Sequence, residues 1–181
     1  MDLRTFLPPP AIETAEPPAV GDDAPEFFGE PVSTPTVIAF LRHSGCPFAE
    51  WTGKEMRVMA NIFPDVDWVA VSHATAAETD SWCTTIGGLQ GVRVVIDTER
   101  VEYGAWGLGK TSLAHFAGPK SLGTIAKLTK DGIRNRHPSG TRWQQAGTFA
   151  IGAGGRVLWR HLPEHAGDLP DLGAAAAAAQ P

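Results

Sequence analysis

Two short apolar runs, Thr36-Val-Ile-Ala-Phe-Leu41 and Asp67-Trp-Val-Ala-Val-Ser72, flank a stretch that opens on Pro47. Runs of this length, rich in β-branched residues, read as strands buried in a sheet. Proline suits the first turn of a helix, where its absent N–H would have had no partner, so a helix is expected over Phe48 to Phe63. The pattern then repeats. A helix is predicted over Ala76 to Ile86, stopped by Gly87-Gly88, and a third strand over Val92-Arg-Val-Val-Ile-Asp97. A Gly-rich turn region follows, then a helix from about Leu122 to Lys130. The last two strands, Thr148-Phe-Ala-Ile151 and Arg156-Val-Leu-Trp-Arg160, are separated by Gly152-Ala-Gly-Gly155, whose glycines supply the positive φ angles of a tight hairpin. Alternation followed by an antiparallel pair implies an α/β fold, a mixed β-sheet flanked by helices with a C-terminal β-hairpin.

A length of 181 residues suits one domain. Residues 1–35 carry eight of the fifteen prolines and read as an extended arm. The domain is expected over 36–172. Residues 173–181 form an Ala-rich tail, where Ala174 to Ala179 has helix propensity but no apolar face to dock, so fraying is expected. A hydrophobic fraction of 43% with 19% charged residues is that of a folding, globular chain. The net charge of −5, with scattered Lys and Arg, argues against a nucleic-acid partner. No apolar run approaches the roughly 20 residues that span a bilayer, and residues 1–18 lack a signal-peptide core, so a cytoplasmic protein with no membrane partner is expected. Two cysteines, Cys46 and Cys83, are too few for a disulfide scaffold.

The segment Phe40-Leu-Arg-His-Ser-Gly-Cys-Pro-Phe-Ala-Glu-Trp51 places Cys46 where a buried strand ends and a helix begins. Backbone N–H groups and the helix dipole at such a junction favour a thiolate, and Arg42 and His43 add positive or polar support. A thiolate there would be a nucleophile. The alternative is a small buried hydrophobe, the usual role of a free cysteine.

Four blocks carry a resemblance: Leu41-Arg-His-Ser-Gly-Cys-Pro-Phe-Ala-Glu50, Tyr103-Gly-Ala-Trp-Gly-Leu-Gly109, Arg142-Trp-Gln-Gln-Ala-Gly-Thr-Phe149 and Glu164-His-Ala-Gly-Asp168. Together, in this order, they resemble the divergent peroxiredoxin-like branch of the alkyl hydroperoxide reductase/thiol-specific antioxidant (AhpC/TSA) family. The resemblance implies a thioredoxin-like fold and places Cys46 at the redox-active position. It also implies a thiol-dependent oxidoreductase that needs no bound cofactor, only an external thiol reductant such as glutathione or thioredoxin. Arg142 lies a few residues ahead of the position of the family's arginine that holds thiolate and peroxide. Two features depart from the pattern. Ala49 stands where many relatives carry the second cysteine of Cys-x-x-Cys, and in Pro-x-x-x-Thr-x-x-Cys the Thr and Pro positions hold His43 and Ala39. Ala49 leaves a one-cysteine mechanism on an organic hydroperoxide or similar small molecule, with an external thiol reducing the sulfenate, while the family's Thr, replaced here by His43, is the residue that orients the peroxide. Cys83 is either a distant resolving cysteine, which needs Cα atoms within about 7 Å, or a core cysteine.

Other motifs match on paper. Gly104-Ala-Trp-Gly-Leu-Gly-Lys-Thr111 fits the phosphate-loop expression, but six residues separate it from Asp97 and Trp106 stands inside it. His161-Leu-Pro-Glu-His165 fits a zinc-protease pattern, but Pro163 interrupts the helix that chemistry needs. The end of the last strand could instead bring His161 or His165 to a pocket, and Trp106 and Trp143 could line it for an apolar substrate. Two further functions stay open: non-redox chemistry (lyase, isomerase or cyclase) in secondary metabolism, with a histidine as the acid/base group, and a non-catalytic binding module. In every case the partner expected is a small molecule, with room for a homodimer.

Overall fold

The computed structural model describes residues 8–112, 115, 118–136 and 138–180; the first seven residues of the arm and Pro181 of the tail lie outside them. The chain forms β1 (Thr36–Phe40), α1 (Pro47–Ile62), β2 (Asp67–Ser72), α2 (Ala76–Thr85), β3 (Val92–Ile96), α3 (Val101–Ala105), α4 (Pro119–Lys130), β4 (Gly147–Ile151), β5 (Val157–His161) and α5 (Leu172–Ala179). The five strands make one sheet in the order β3-β2-β1-β4-β5. β1 pairs with β2 in parallel, Ile38 opposite Val69. On its other side β1 pairs with β4 antiparallel, Ile38 opposite Phe149. A mixed sheet flanked by helices, closed by a hairpin, is the thioredoxin-like arrangement expected.

Strand alternation divides the core in two. Val37, Ala39, Trp68, Ala70 and Ala150 face α1, α2 and α5. Ile38, Phe40, Val69, Val71, Phe149 and Ile151 face Tyr103, Trp106 and Leu108. Both faces of β1 are therefore buried, which is why its run is apolar without alternation.

Three expectations need correction. The Ala-rich tail does not fray. It is helix α5, capped by Asp171 accepting from Ala174 N at 2.9 Å, with Leu172, Ala175, Ala176 and Ala179 buried against α1 and the sheet. Small side chains let this helix approach closely, so it completes the layer that α1 begins, and the domain does not stop at 172. The stretch after β3 is not all turn. Asp97 accepts hydrogen bonds from Val101 N, Glu102 N and Tyr103 N and so starts α3. Trp106 is fully buried, packed on Phe40 and Phe149 in the core, and cannot line a substrate pocket.

The arm is extended and runs across the molecule. Gly21 N donates to Val157 O, Val157 N to Asp22 O and Ala24 N to Gly155 O, which pairs the arm with the start of β5. Upstream, Ala15 N donates to Gly104 O. No helix among the described residues is long and apolar enough to cross a membrane.

Candidate functional site

β1 delivers the chain to the site at its C-terminal end. Tyr103, from α3, fixes that end: its hydroxyl lies 2.6 Å from Leu41 O and 2.9 Å from Val71 O. Gly45 then takes a left-handed φ of +87°, a turn that favours glycine, and Cys46 follows as the N-cap of α1 with Pro47 at its first position. The thiol so stands at the positive end of a sixteen-residue helix. It is only 1% exposed.

Arg42 reaches over it. Nη1 lies 3.9 Å from Cys46 Sγ, and Nη2 donates to Arg142 O at 2.9 Å. Burial lowers the Arg42 pKa, the sulfur opposes that shift, and nearby Arg142 adds to it. Cys46, Arg42, His43 and Arg142 are therefore gathered at one place. His43 is buried beside them and its Nδ1 donates to Ser44 O at 2.9 Å. Burial, then the positive charge of Arg42, pushes its pKa down to about 3, so the ring is neutral and a weak base near pH 7.

Arg42 also borders a cavity of about 40 Å³, whose lining does not include Cys46, His43 or Arg142. That is space for a few water-sized groups. Phe40, Leu41, Phe48 and Ala49 supply apolar wall, and Arg42, His115, His161 and Asp168 the polar part. Ala49, where a second cysteine would stand, is thus part of this wall. His161 Nε2 sits 3.2 Å from Asp168 O and 3.7 Å from the Asp168 carboxylate. His115 is lowered from its ordinary pKa by burial and then by Arg42.

Other candidates fall elsewhere. Trp143 is half-buried next to Arg142, its ring 5.3 Å from Lys110 Nζ and outside the cavity wall. His165 does not line the cavity either. His161 ends β5 and no helix follows it through His165, so the two histidines do not share a helix face. No helix opens at Lys110 and Gly107 packs on Pro17, so the phosphate-loop match is coincidental. Cys83 is a free, half-buried thiol of α2 packed against the core, raised in pKa by burial and then by Asp80.

Two features escaped the sequence reading. Glu50, 1% exposed, is gripped by Arg136 (2.9 and 3.3 Å) and Lys54 (2.7 Å). Burial raises its pKa, but the hydrogen bonds from Arg136 and Lys54 outweigh that and hold it below the ordinary range. Arg136 belongs to a strap whose backbone meets the cysteine loop: Arg136 N donates to Gly45 O at 2.9 Å and Ser139 N to Ser44 O at 3.2 Å. His73, just past β2, is the second. Its position at the C-terminal end of a parallel strand, where α/β sheets place their sites, was the available signal.

The family model for AhpC/TSA antioxidant enzymes matches residues 59–165. The match begins after Cys46 and includes the Tyr103 and Arg142 blocks. No curated protein matches the sequence. Among solved structures, a peroxiredoxin-like protein from Aquifex aeolicus superposes with a TM-score of 0.62 at 17% identity, over 92% of this chain and 95% of that one. The thiol peroxidase from Chromobacterium violaceum gives 0.60 at 15%, over 91% and 87%. The peroxidoxin BcpB from Mycobacterium tuberculosis gives 0.60 at 15%, over 89% and 96%. At these identities the likeness is one of fold.

Proposed function

The chain belongs to the AhpC/TSA antioxidant enzyme family, and from that premise we propose that it is a thiol-dependent oxidoreductase in which Cys46 reduces a small organic hydroperoxide. The observation that carries this is the pairing of Cys46 Sγ, at the N-terminus of α1, with Arg42 Nη1 at 3.9 Å. Both the guanidinium and the helix end stabilise negative charge on sulfur.

The thiolate attacks the terminal peroxide oxygen. A sulfur–oxygen bond forms, the oxygen–oxygen bond breaks, and the leaving alkoxide takes a proton to become the alcohol. The balance is Cys46–SH + ROOH → Cys46–SOH + ROH. With Ala49 in place of a local resolving thiol, an external thiol condenses with the sulfenic acid, releasing water and leaving a mixed disulfide. A second equivalent of that thiol frees Cys46 and departs as the external disulfide. Arg42 and Arg142 supply positive charge beside the sulfur. His43 accepts protons poorly near pH 7, which counts against this histidine as the acid/base group of a non-redox reaction.

Cys46→Ser is expected to abolish consumption of cumene hydroperoxide with dithiothreitol or glutathione as reductant, while Cys83→Ser retains it. Full activity in the Cys46 variant would overturn the proposal.

A further inference from the structure

We propose that His73 is a positioning residue for Cys46, acting through the strap and Arg42. This rests on the reading of Cys46 as the reactive thiol, and deepens it.

The contacts form one chain. His73 Nε2 lies 3.1 Å from Thr141 N, which donates to it, and 3.2 Å from Thr141 O. The next residue offers its carbonyl to the thiol's partner: Arg42 Nη2 donates to Arg142 O at 2.9 Å, and Arg42 Nη1 lies 3.9 Å from Cys46 Sγ. A histidine one residue past β2 therefore sets the carbonyl that orients the guanidinium over the sulfur.

The surroundings are built for this contact. The ring is 5% exposed and stands edge-on to Tyr103, centroids 5.5 Å apart, and Tyr103 itself holds Leu41 O at the mouth of the cysteine loop. Its Nδ1 is buried with no hydrogen-bond partner among the described residues, so Nε2 carries the ring's polar attachment. Gly140 has φ +75°, and a Cβ there would stand 2.7 Å from His73 Cδ2 and 2.8 Å from Nε2. Only glycine lets the strap lie on the imidazole. Burial takes the His73 pKa down to about 4, so near pH 7 the ring is neutral, and in its Nδ1–H tautomer Nε2 keeps the lone pair that Thr141 N–H needs.

The test uses the full chain carrying Cys83→Ser, so that Cys46 is its remaining thiol. Two rates are read: alkylation of Cys46 by iodoacetamide, and sulfenic-acid formation with cumene hydroperoxide. His73→Leu keeps the volume and removes the acceptor, and is expected to slow both about 10-fold, the worth of one buried hydrogen bond. His73→Gln, whose side-chain oxygen can accept from Thr141 N, is expected to recover to within about 3-fold of the parent. In an Arg42→Met background, His73→Leu is expected to add less than about 2-fold, because the path is already cut. Gly140→Ala, which pushes on the ring, is expected to reproduce the slowing and serves if His73→Leu does not fold. Parent-like rates in a folded His73→Leu, or in Gly140→Ala, would overturn the proposal. So would a full, independent His73 effect without Arg42. The alkylation arm needs no peroxide. A parent that alkylates but forms no sulfenic acid would count against the proposed function while the coupling of His73 to Arg42 is still read.

Discussion

A negative charge on a buried sulfur would need groups that are already in place to meet it. Cys46 has two, the end of α1 and the Arg42 guanidinium. Both were legible in the sequence, because Arg42, His43 and Pro47 lie within four residues of the cysteine. The groups that hold them were not. His73 meets Thr141 across 68 positions, and Glu50 meets Arg136 across 86, and no local pattern encodes such contacts. Two of these residues predict a pH response. His43 and His73 are held to about 3 and about 4, below an ordinary histidine near 6.5. Between those values the unfolded chain binds more protons than the native one, so native stability is full above about pH 6.5 and falls as pH drops towards 4 and then 3. Each ring contributes a slope of at most about 1.4 kcal/mol per pH unit in its window. Urea midpoints measured from pH 7 to 4 should decline, and His73→Gln should flatten the decline.

Among the elements, those marked by an apolar run, a proline or a glycine stop were readable and those without such a mark were not. The five strands and the helices α1, α2 and α4 follow from apolar runs, Pro47 and glycine stops. The sequence Leu172-Gly-Ala-Ala-Ala-Ala-Ala-Ala179 has no polar face to contrast with an apolar one, so its burial left no periodic signature. Its packing is asymmetric nonetheless, with Ala176 fully buried and Ala177 exposed. Ala176→Asp would bury a carboxylate with no partner and is expected to cost about 3 kcal/mol or more. Ala177→Asp should change stability by no more than about 0.5 kcal/mol. Chemical denaturation of the two variants checks the difference. Equal, small effects would mean that the helix is dispensable.

For the molecule as a whole, the arm does work that a proline-rich segment does not advertise. It pairs with the start of β5 through Gly21, Asp22 and Ala24 and lies over the second core face, where Phe27 packs edge-on to Phe40 and Trp106. Uncovered strand edges recruit other strands. Removal of residues 1–24 is therefore expected to lower the melting temperature and promote self-association, read by calorimetry and size-exclusion chromatography; a monomer of unchanged stability would show the arm to be ornamental. The sequence by itself determined the strand order along the chain, the mixed sheet and the position of Cys46 at a strand-to-helix junction, because each depends on residues close together in the chain. Only the tertiary structure decided that Trp106 is core, that an alanine helix completes the fold, and that His73, Arg136 and the strap stand behind the thiol. Those facts depend on which distant segments meet, and that is set by the packing of whole layers against the sheet.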